Sequence, residues 1–205
     1  RVFEETAADY PDIENEHWIV DIGAAKLADT PELFDVVVMP NLYGDILSDV
    51  AAQIAGSVGL AGSANIGDGY AMFEAIHGSA PRRAGQNLAN PSGLLHGAIM
   101  MMVYIKQGDI ASSIHNAWLK TIEDGIHTYD VYTEEHSTKQ VGTREFAESV
   151  IERLGKVPTN FDSAQYDDQP AQKQFTVTSQ NDAIKKDLVG VDVFLDWTGE
   201  EPDDL

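Results

Sequence analysis

Phe34-Asp-Val-Val-Val-Met-Pro-Asn-Leu-Tyr-Gly-Asp-Ile-Leu-Ser-Asp49 changes its hydrophobic period half-way along, and that change decides the fold. Phe34 to Met39 is a continuous, β-branched apolar run of the kind that suits a strand covered on both faces. After Pro40 the apolar residues Leu42, Ile46, Leu47 and Val50 recur at helical spacing. They predict a well-buried helix from about Leu42 to Ala55, ended by Gly56. Upstream, Phe3 to Tyr10 reads as the end of a helix before Pro11. His17-Trp-Ile-Val-Asp-Ile22 reads as another strand, with Gly23 to Ala28 a short helix after it. Strand, helix, strand, helix is the order of an α/β domain.

Downstream, a connection rich in Gly, Ala, Asn and Pro contains the short apolar run Tyr70 to Ala75, and connections this long inside a compact domain are more often binding elements than spacers. Ser92, as N-cap after Pro91, leads into an apolar helix from Leu94 to Lys106. Asp109 is expected to cap a helix from Ile110 to Glu123, in which Ile114, Trp118 and Ile122 face the core. Thr143 is expected to cap a last helix with a buried stripe of Phe146, Val150, Ile151 and Leu154. Composition then changes at Gly155. Residues 156–187 read as a polar linker, and 188–205 hold a strand-like run, Leu188 to Leu195, with an acidic stop after it. The chain thus reads as cut at both ends: it starts inside a helix without Met, and it stops just as a new element begins.

A formal net charge of −21 argues against nucleic acid as partner, because neutralising phosphates needs a basic surface. With no apolar run near the ~20 residues of a membrane span and no secretory start, a soluble, cytoplasmic chain is expected. There is no Cys, so any metal must be held by carboxylates or His, which favours a hard cation such as Mg²⁺ or Mn²⁺.

Asp45 and Asp49 stand four residues apart on the predicted helix, directly after a predicted strand, and ligands collect at that edge of α/β sheets. Asp21, at the end of the neighbouring predicted strand, aims a third carboxylate the same way. The alternative is that one acid favours a helix N-terminus and the other faces solvent. In Glu74-Ala-Ile-His77-Gly78-Ser79-Ala80-Pro81, the bare backbone at Gly78, the hydroxyl of Ser79 and the flat imidazole of His77 suit phosphates and a stacked adenine. His77 reads equally as a packed loop residue, and Glu74 as a cap of the loop. Gly67, Gly69 and Gly78 do not form the G-x-G-x-x-G of the ordinary dinucleotide fold.

Taken together, Asn41-Leu-Tyr-Gly-Asp-Ile-Leu-Ser-Asp49, Ala64-Asn-Ile-Gly67, Phe73-Glu-Ala-Ile-His-Gly-Ser-Ala-Pro81 and Ala89-Asn-Pro91 resemble, in order and spacing, the β-decarboxylating dehydrogenases that act on isocitrate, 3-isopropylmalate, homoisocitrate and tartrate. The match runs from about Trp18 to Leu154. The resemblance implies part of an α/β/α sandwich of the isocitrate/isopropylmalate dehydrogenase type, not a Rossmann fold. Residues 1–155 would then belong to the large and dimer-forming domains. It implies Asp45 and Asp49 as ligands of Mg²⁺ or Mn²⁺, with Asp21 donated across a homodimer. It also implies a cofactor loop of Glu74, His77, Gly78, Ser79, Ala80 and Asn90, with Asp130 near the adenosine end unless Tyr129-Asp130 is merely a turn. The family's general acid and base, a Tyr and a Lys, would lie upstream of Arg1.

Members that use NAD typically carry an acid after His-Gly-Ser-Ala-Pro, where this chain has Arg82-Arg83. An Arg suits the 2′-phosphate of NADP. Against that, no basic residue follows Tyr129-Asp130 closely, and Glu134 and Glu135 stand nearby, so NADP is expected and NAD stays open. The tail after Leu154 resembles the start of a C-terminal extension in larger bacterial isocitrate dehydrogenases of the Thermus kind. That implies oxidative decarboxylation of isocitrate to 2-oxoglutarate. Isopropylmalate or homoisocitrate dehydrogenase, and a non-catalytic regulatory subunit, are the alternatives.

Overall fold

Six helices and four short strands make up the described part of the computed structural model, residues 1–166. Helices α1 (Val2–Ala7), α2 (Val20–Asp29) and α3 (Asn41–Ile54) come first. The hairpin strands β1 (Gly62–Ile66) and β2 (Ala71–Ala75) follow, then α4 (Ser92–Tyr104) and α5 (Gly108–Glu123). The two-residue strands β3 (Ile126–His127) and β4 (Lys139–Gln140) precede α6 (Thr143–Ile151). The predicted extension at 188–205, and the linker beyond Tyr166, lie outside the described residues. No helix among the described residues is long and apolar enough to cross a membrane.

Neither predicted strand of the first forty residues forms. Val20 to Ile22 open α2, because Gly23-Ala-Ala-Lys-Leu-Ala28 carries a helix back over them, and Asp21 lies in its first turn. Phe34 to Met39 pairs with no strand among the described residues, and a strand requires a neighbour whose N–H and C=O groups complete its own. For the same reason α3 forms where expected but is not well buried. Leu42 is 65% exposed and Ile46 53% exposed, with only Ala52 of the helix fully buried.

The long connection, by contrast, holds an antiparallel hairpin in which Gly62 faces Ala75 and Ile66 faces Ala71. Helix α4 lies on this hairpin, and small residues permit the approach. A Cβ at Gly97 would stand 2.9 Å from the Glu74 carbonyl oxygen, and one at Gly93 would stand 2.7 Å from that of Ala61. The core sits among the last helices, where buried Ala117, Val141, Phe146 and Val150 pack with Leu95, Trp118, Ile122 and Ile126. Ile151 and Leu154 fall outside it and are exposed, since the stripe on α6 is narrower than the sequence suggests.

The caps also differ from expectation. The Thr143 hydroxyl bonds the Ala89 carbonyl, and α6 is capped by Asn87, whose Oδ1 accepts from the Arg144 N–H at 2.9 Å. Ser92 is the first residue of α4 and makes no cap; Asn90 Oδ1 accepts its N–H at 3.0 Å. Helix α5 begins at Gly108 after Gln107, with Asp109 inside the first turn, where its charge favours the helix dipole.

Residues 159–166 return along α5. Glu123 accepts the backbone N–H groups of Thr159, Asn160 and Phe161. Asn116 pairs with the backbone of Ala164 through both ends of its amide, at 2.8 and 2.9 Å. The Tyr166 hydroxyl meets His115 Nδ1 at 2.8 Å. What reads in sequence as the start of a linker is, as far as Tyr166, a strap fastened to the helix.

Candidate cofactor and metal site

Asp130 is the centre of the most closely connected polar cluster near the predicted cofactor residues. It is half-buried just past β3 and accepts from the Ser57 hydroxyl, from Thr128 Oγ1 at 2.6 Å and from Asn90 Nδ2 at 3.0 Å. Burial pushes its carboxyl upward, but these three donors outweigh that and hold it below the usual range. Asn90 is itself buried, and by accepting the Ser92 N–H it ties Asp130 to the start of α4. Ser92 Oγ in turn accepts the Trp118 indole N–H at 2.8 Å. Gly59 completes the cluster from the other side, where a Cβ would stand 2.9 Å from both Asn90 Cβ and Asp130 Oδ2. Two residues forty apart in sequence, Asn90 and Asp130, are thus brought into direct contact.

Glu74, on β2, is exposed and accepts from Asn65 Nδ2 across the hairpin at 3.1 Å. After it the loop runs out to the surface: His77, Gly78, Ser79, Ala80, Arg82 and Arg83 are all exposed. The His77 ring does not pack into the core, and its Nδ1 lies 2.9 Å from the Gly78 carbonyl oxygen. Ala80 takes a left-handed backbone with φ 42°, which turns the chain into the short 3-10 turn Pro81–Arg83. From that turn the Arg83 guanidinium donates to the Tyr129 hydroxyl, its carbon lying 5.1 Å from the centre of the Tyr129 ring. Arg83 therefore contacts the residue next to Asp130. Arg82 has no such contact, and its side chain is free to meet a ligand from solvent.

Tyr129 also lines an open cleft of about 410 Å³ with Asn87, Leu88, Lys139 to Gly142 and Glu145. Lys139 is the residue that sequence reasoning passed over. It stands nine positions after Asp130, but the parallel pairing of Ile126 with Lys139 folds it back beside the strand that leads to Tyr129. Two short strands of two residues each leave almost no periodic signal, so nothing in the sequence pointed to this return. The chemistry of the residues, Arg83 on Tyr129, Lys139 on the same cleft, and exposed Arg82 and Gly78 on the neighbouring loop, is of the kind that suits a phosphate-bearing nucleotide.

For a metal, Asp45 and Asp49 are exposed on α3, four residues apart, and supply the carboxylate oxygens a hard cation prefers. Asp21 is exposed at the start of α2, where its Oδ1 accepts the Ile22 N–H at 2.8 Å. Among the described residues no three His, Asp or Glu side chains gather closely enough to hold an ion. The donors fit the cation in kind.

A family model for isocitrate/isopropylmalate dehydrogenases matches residues 1–150. The chain belongs to this family. It is 61% identical to the isocitrate dehydrogenase [NADP] of Rickettsia typhi over 95% of its own length and 41% of that protein's. It is 42% identical to the isocitrate dehydrogenase [NADP] of Thermus thermophilus over 96% of its own length and 39% of the relative's. A crystal structure of isocitrate dehydrogenase from Methylococcus capsulatus superposes with a TM-score of 0.70 at 42% identity, covering 75% of this chain and 44% of the other. The α/β fold of the family follows from these matches. The chain spans about two-fifths of the length of the relatives it matches.

Proposed function

We propose that the full-length protein carries out the oxidative decarboxylation of isocitrate to 2-oxoglutarate with NADP and a divalent cation, Mg²⁺ or Mn²⁺. The observation that carries this reading is 61% identity over nearly the whole chain to a relative named isocitrate dehydrogenase [NADP]. The geometry agrees with it: Arg82 and Arg83 stand in the loop after His77-Gly-Ser-Ala-Pro81, and Arg83 is oriented by Tyr129.

Each residue then has a definite task. Arg82 and Arg83 hold the 2′-phosphate of the cofactor, and Glu74 to Ala80 carry its ribose and phosphates. The Asn90–Asp130 cluster fixes the adenosine end by joining the start of α4 to the segment after β3. Asp45 and Asp49 hold the cation from one protomer of a homodimer, and Asp21 of the other protomer completes the set. When bound, the cation polarises the substrate's 2-hydroxyl and steadies the charge left as CO₂ departs, while the nicotinamide accepts the hydride. The general acid and base, a Tyr and a Lys, come from outside residues 1–205.

Steady-state kinetics on the full-length protein test the reading. Isocitrate-dependent NADPH formation is expected, with kcat/KM for NADP above that for NAD and no turnover of 3-isopropylmalate. A preference for isopropylmalate, or no turnover with any of these acids, overturns it.

A further inference from the structure

The cleft beside Tyr129 contains one cation with no task in the fold. Lys139 is exposed on β4, and no hydrogen bond or ion pair holds its side chain among the described residues. It shares the cleft with Tyr129, whose hydroxyl and ring are engaged by Arg83. The tyrosine is therefore engaged by a guanidinium and borders the same cleft as an ammonium without a partner among the described residues. Glu145, in the first turn of α6, lines the same cleft and is anchored by Asn87 Nδ2 at 2.8 Å, and that bond first of all holds its carboxyl below the usual range. A fixed carboxylate in a cleft repels a phosphate unless a cation offsets it.

We infer that Lys139 is a specificity-determining residue for the cofactor: its ammonium, folded back by the β3–β4 pairing, joins Arg83 across Tyr129 to hold a 2′-phosphate and to offset Glu145. This rests on the reading of the protein as NADP-dependent. It places the second basic group in space where the residues directly after Asp130 do not provide it. It also makes Lys139 and Glu145 act with opposite signs on the same ligand. A merely structural role would not do that, since loss of either side chain would then weaken binding of every nucleotide alike.

Equilibrium binding decides it without turnover. Isothermal titration of full-length protein with adenosine 2′,5′-bisphosphate and with AMP compares ligands that differ by the 2′-phosphate. Lys139→Gln should weaken the bisphosphate by roughly tenfold and leave AMP unchanged, while Lys139→Arg retains most of the affinity. Glu145→Gln keeps the Asn87 hydrogen bond, and it should tighten the bisphosphate severalfold with AMP again unchanged. AMP affinity serves as the measure of intact folding. If wild-type protein prefers the bisphosphate and neither variant alters that preference, the assignment of Lys139 fails and the NADP reading stands. Equal weakening of both ligands by Lys139→Gln makes the residue structural and also overturns the assignment. A wild-type protein that binds AMP as tightly as the bisphosphate overturns the NADP reading together with it.

Discussion

Arg82 and Arg83 are neighbours with different fates. The side chain of Arg83 is spent on Tyr129, with a hydrogen bond to its hydroxyl and a position over its ring, so it is pre-oriented before any ligand arrives. Arg82 is exposed, with no hydrogen bond or ion pair to its guanidinium among the described residues, and must give up rotamer freedom on binding. Replacing Arg82 with Asp both removes a cation and adds an acceptor suited to a ribose 2′-hydroxyl. It is expected to lower the preference for NADP over NAD by roughly 2 to 4 kcal/mol. Most of the loss should appear in KM for NADP rather than in kcat, since the 2′-phosphate is remote from the hydride and contributes mainly uniform binding. The ratio of kcat/KM values for the two cofactors in full-length wild type and variant measures this, and an unchanged ratio removes Arg82 from the phosphate site. The arginines and their loop stood out in the sequence through the family resemblance and the residue types together. The bond from Asn90 to Asp130, the Asn87 cap and the position of Lys139 were not, because each joins positions tens of residues apart or depends on a pairing too short to leave a period.

Helix α5 shows how one element can carry two faces. Its inner face contributes Ala117, Trp118 and Ile122 to the core, while Asn116, Glu123, Ser112 and His115 hold the 159–166 strap. Glu123 is the strongest anchor. It pairs with the Lys120 ammonium at 2.7 Å and accepts from the backbone of Thr159 and Asn160, and these contacts, the lysine first, lower its carboxyl to about 2. The folded value lies below the ordinary 4.5, so the anchor contributes fully above that pH and is lost as pH falls from there toward about 2. Glu123→Gln should therefore speed hydrogen exchange at the amides of residues 159–161 at least severalfold at neutral pH. It should also flatten the fall in thermal stability between roughly pH 5 and pH 3 relative to wild type. Parallel acid melts of the two proteins, with the same slope in both, would show that Glu123 is not what holds the strap. Trp118 and Ile122 were predictable from their spacing, whereas Ile114, expected beside them, is partly buried outside that cluster. The outer face carries no such signal, since Asn, Ser, His and Glu on a helix read as solvated until another segment is seen lying on them.

At the scale of the whole molecule, burial is uneven, and the unevenness explains which sequence expectations failed. Helices α4, α5 and α6 with β3 and β4 enclose a core, and the bounds of the three helices match the periodic pattern to within a few residues. The first sixty residues carry equally strong apolar runs, yet Val36 is 83% exposed, Val38 70%, Leu42 65% and Ile46 53%. The pattern in Phe34–Asp49 signals an element meant to be covered on both faces, and hydrophobic pattern reports that requirement whether or not its partners belong to the same stretch of chain. For this reason the apolar run at Phe34–Met39 read as a strand that does not form among the described residues, and α3 was legible as a helix but not as an exposed one. Exposed apolar side chains in such number suit a covering surface. A preparation of residues 1–205 alone is thus expected to bind 8-anilinonaphthalene-1-sulfonate strongly and to associate with rising concentration in sedimentation velocity, with no isocitrate-dependent NADPH formation. Val38→Lys combined with Ile46→Lys should reduce both dye binding and association while leaving far-ultraviolet circular dichroism in place, because neither side chain belongs to the enclosed core. If the unmodified chain stays monomeric and dark to the dye, the exposed face is not an interface, and the apolar run at Phe34–Met39 must be covered from within these 205 residues.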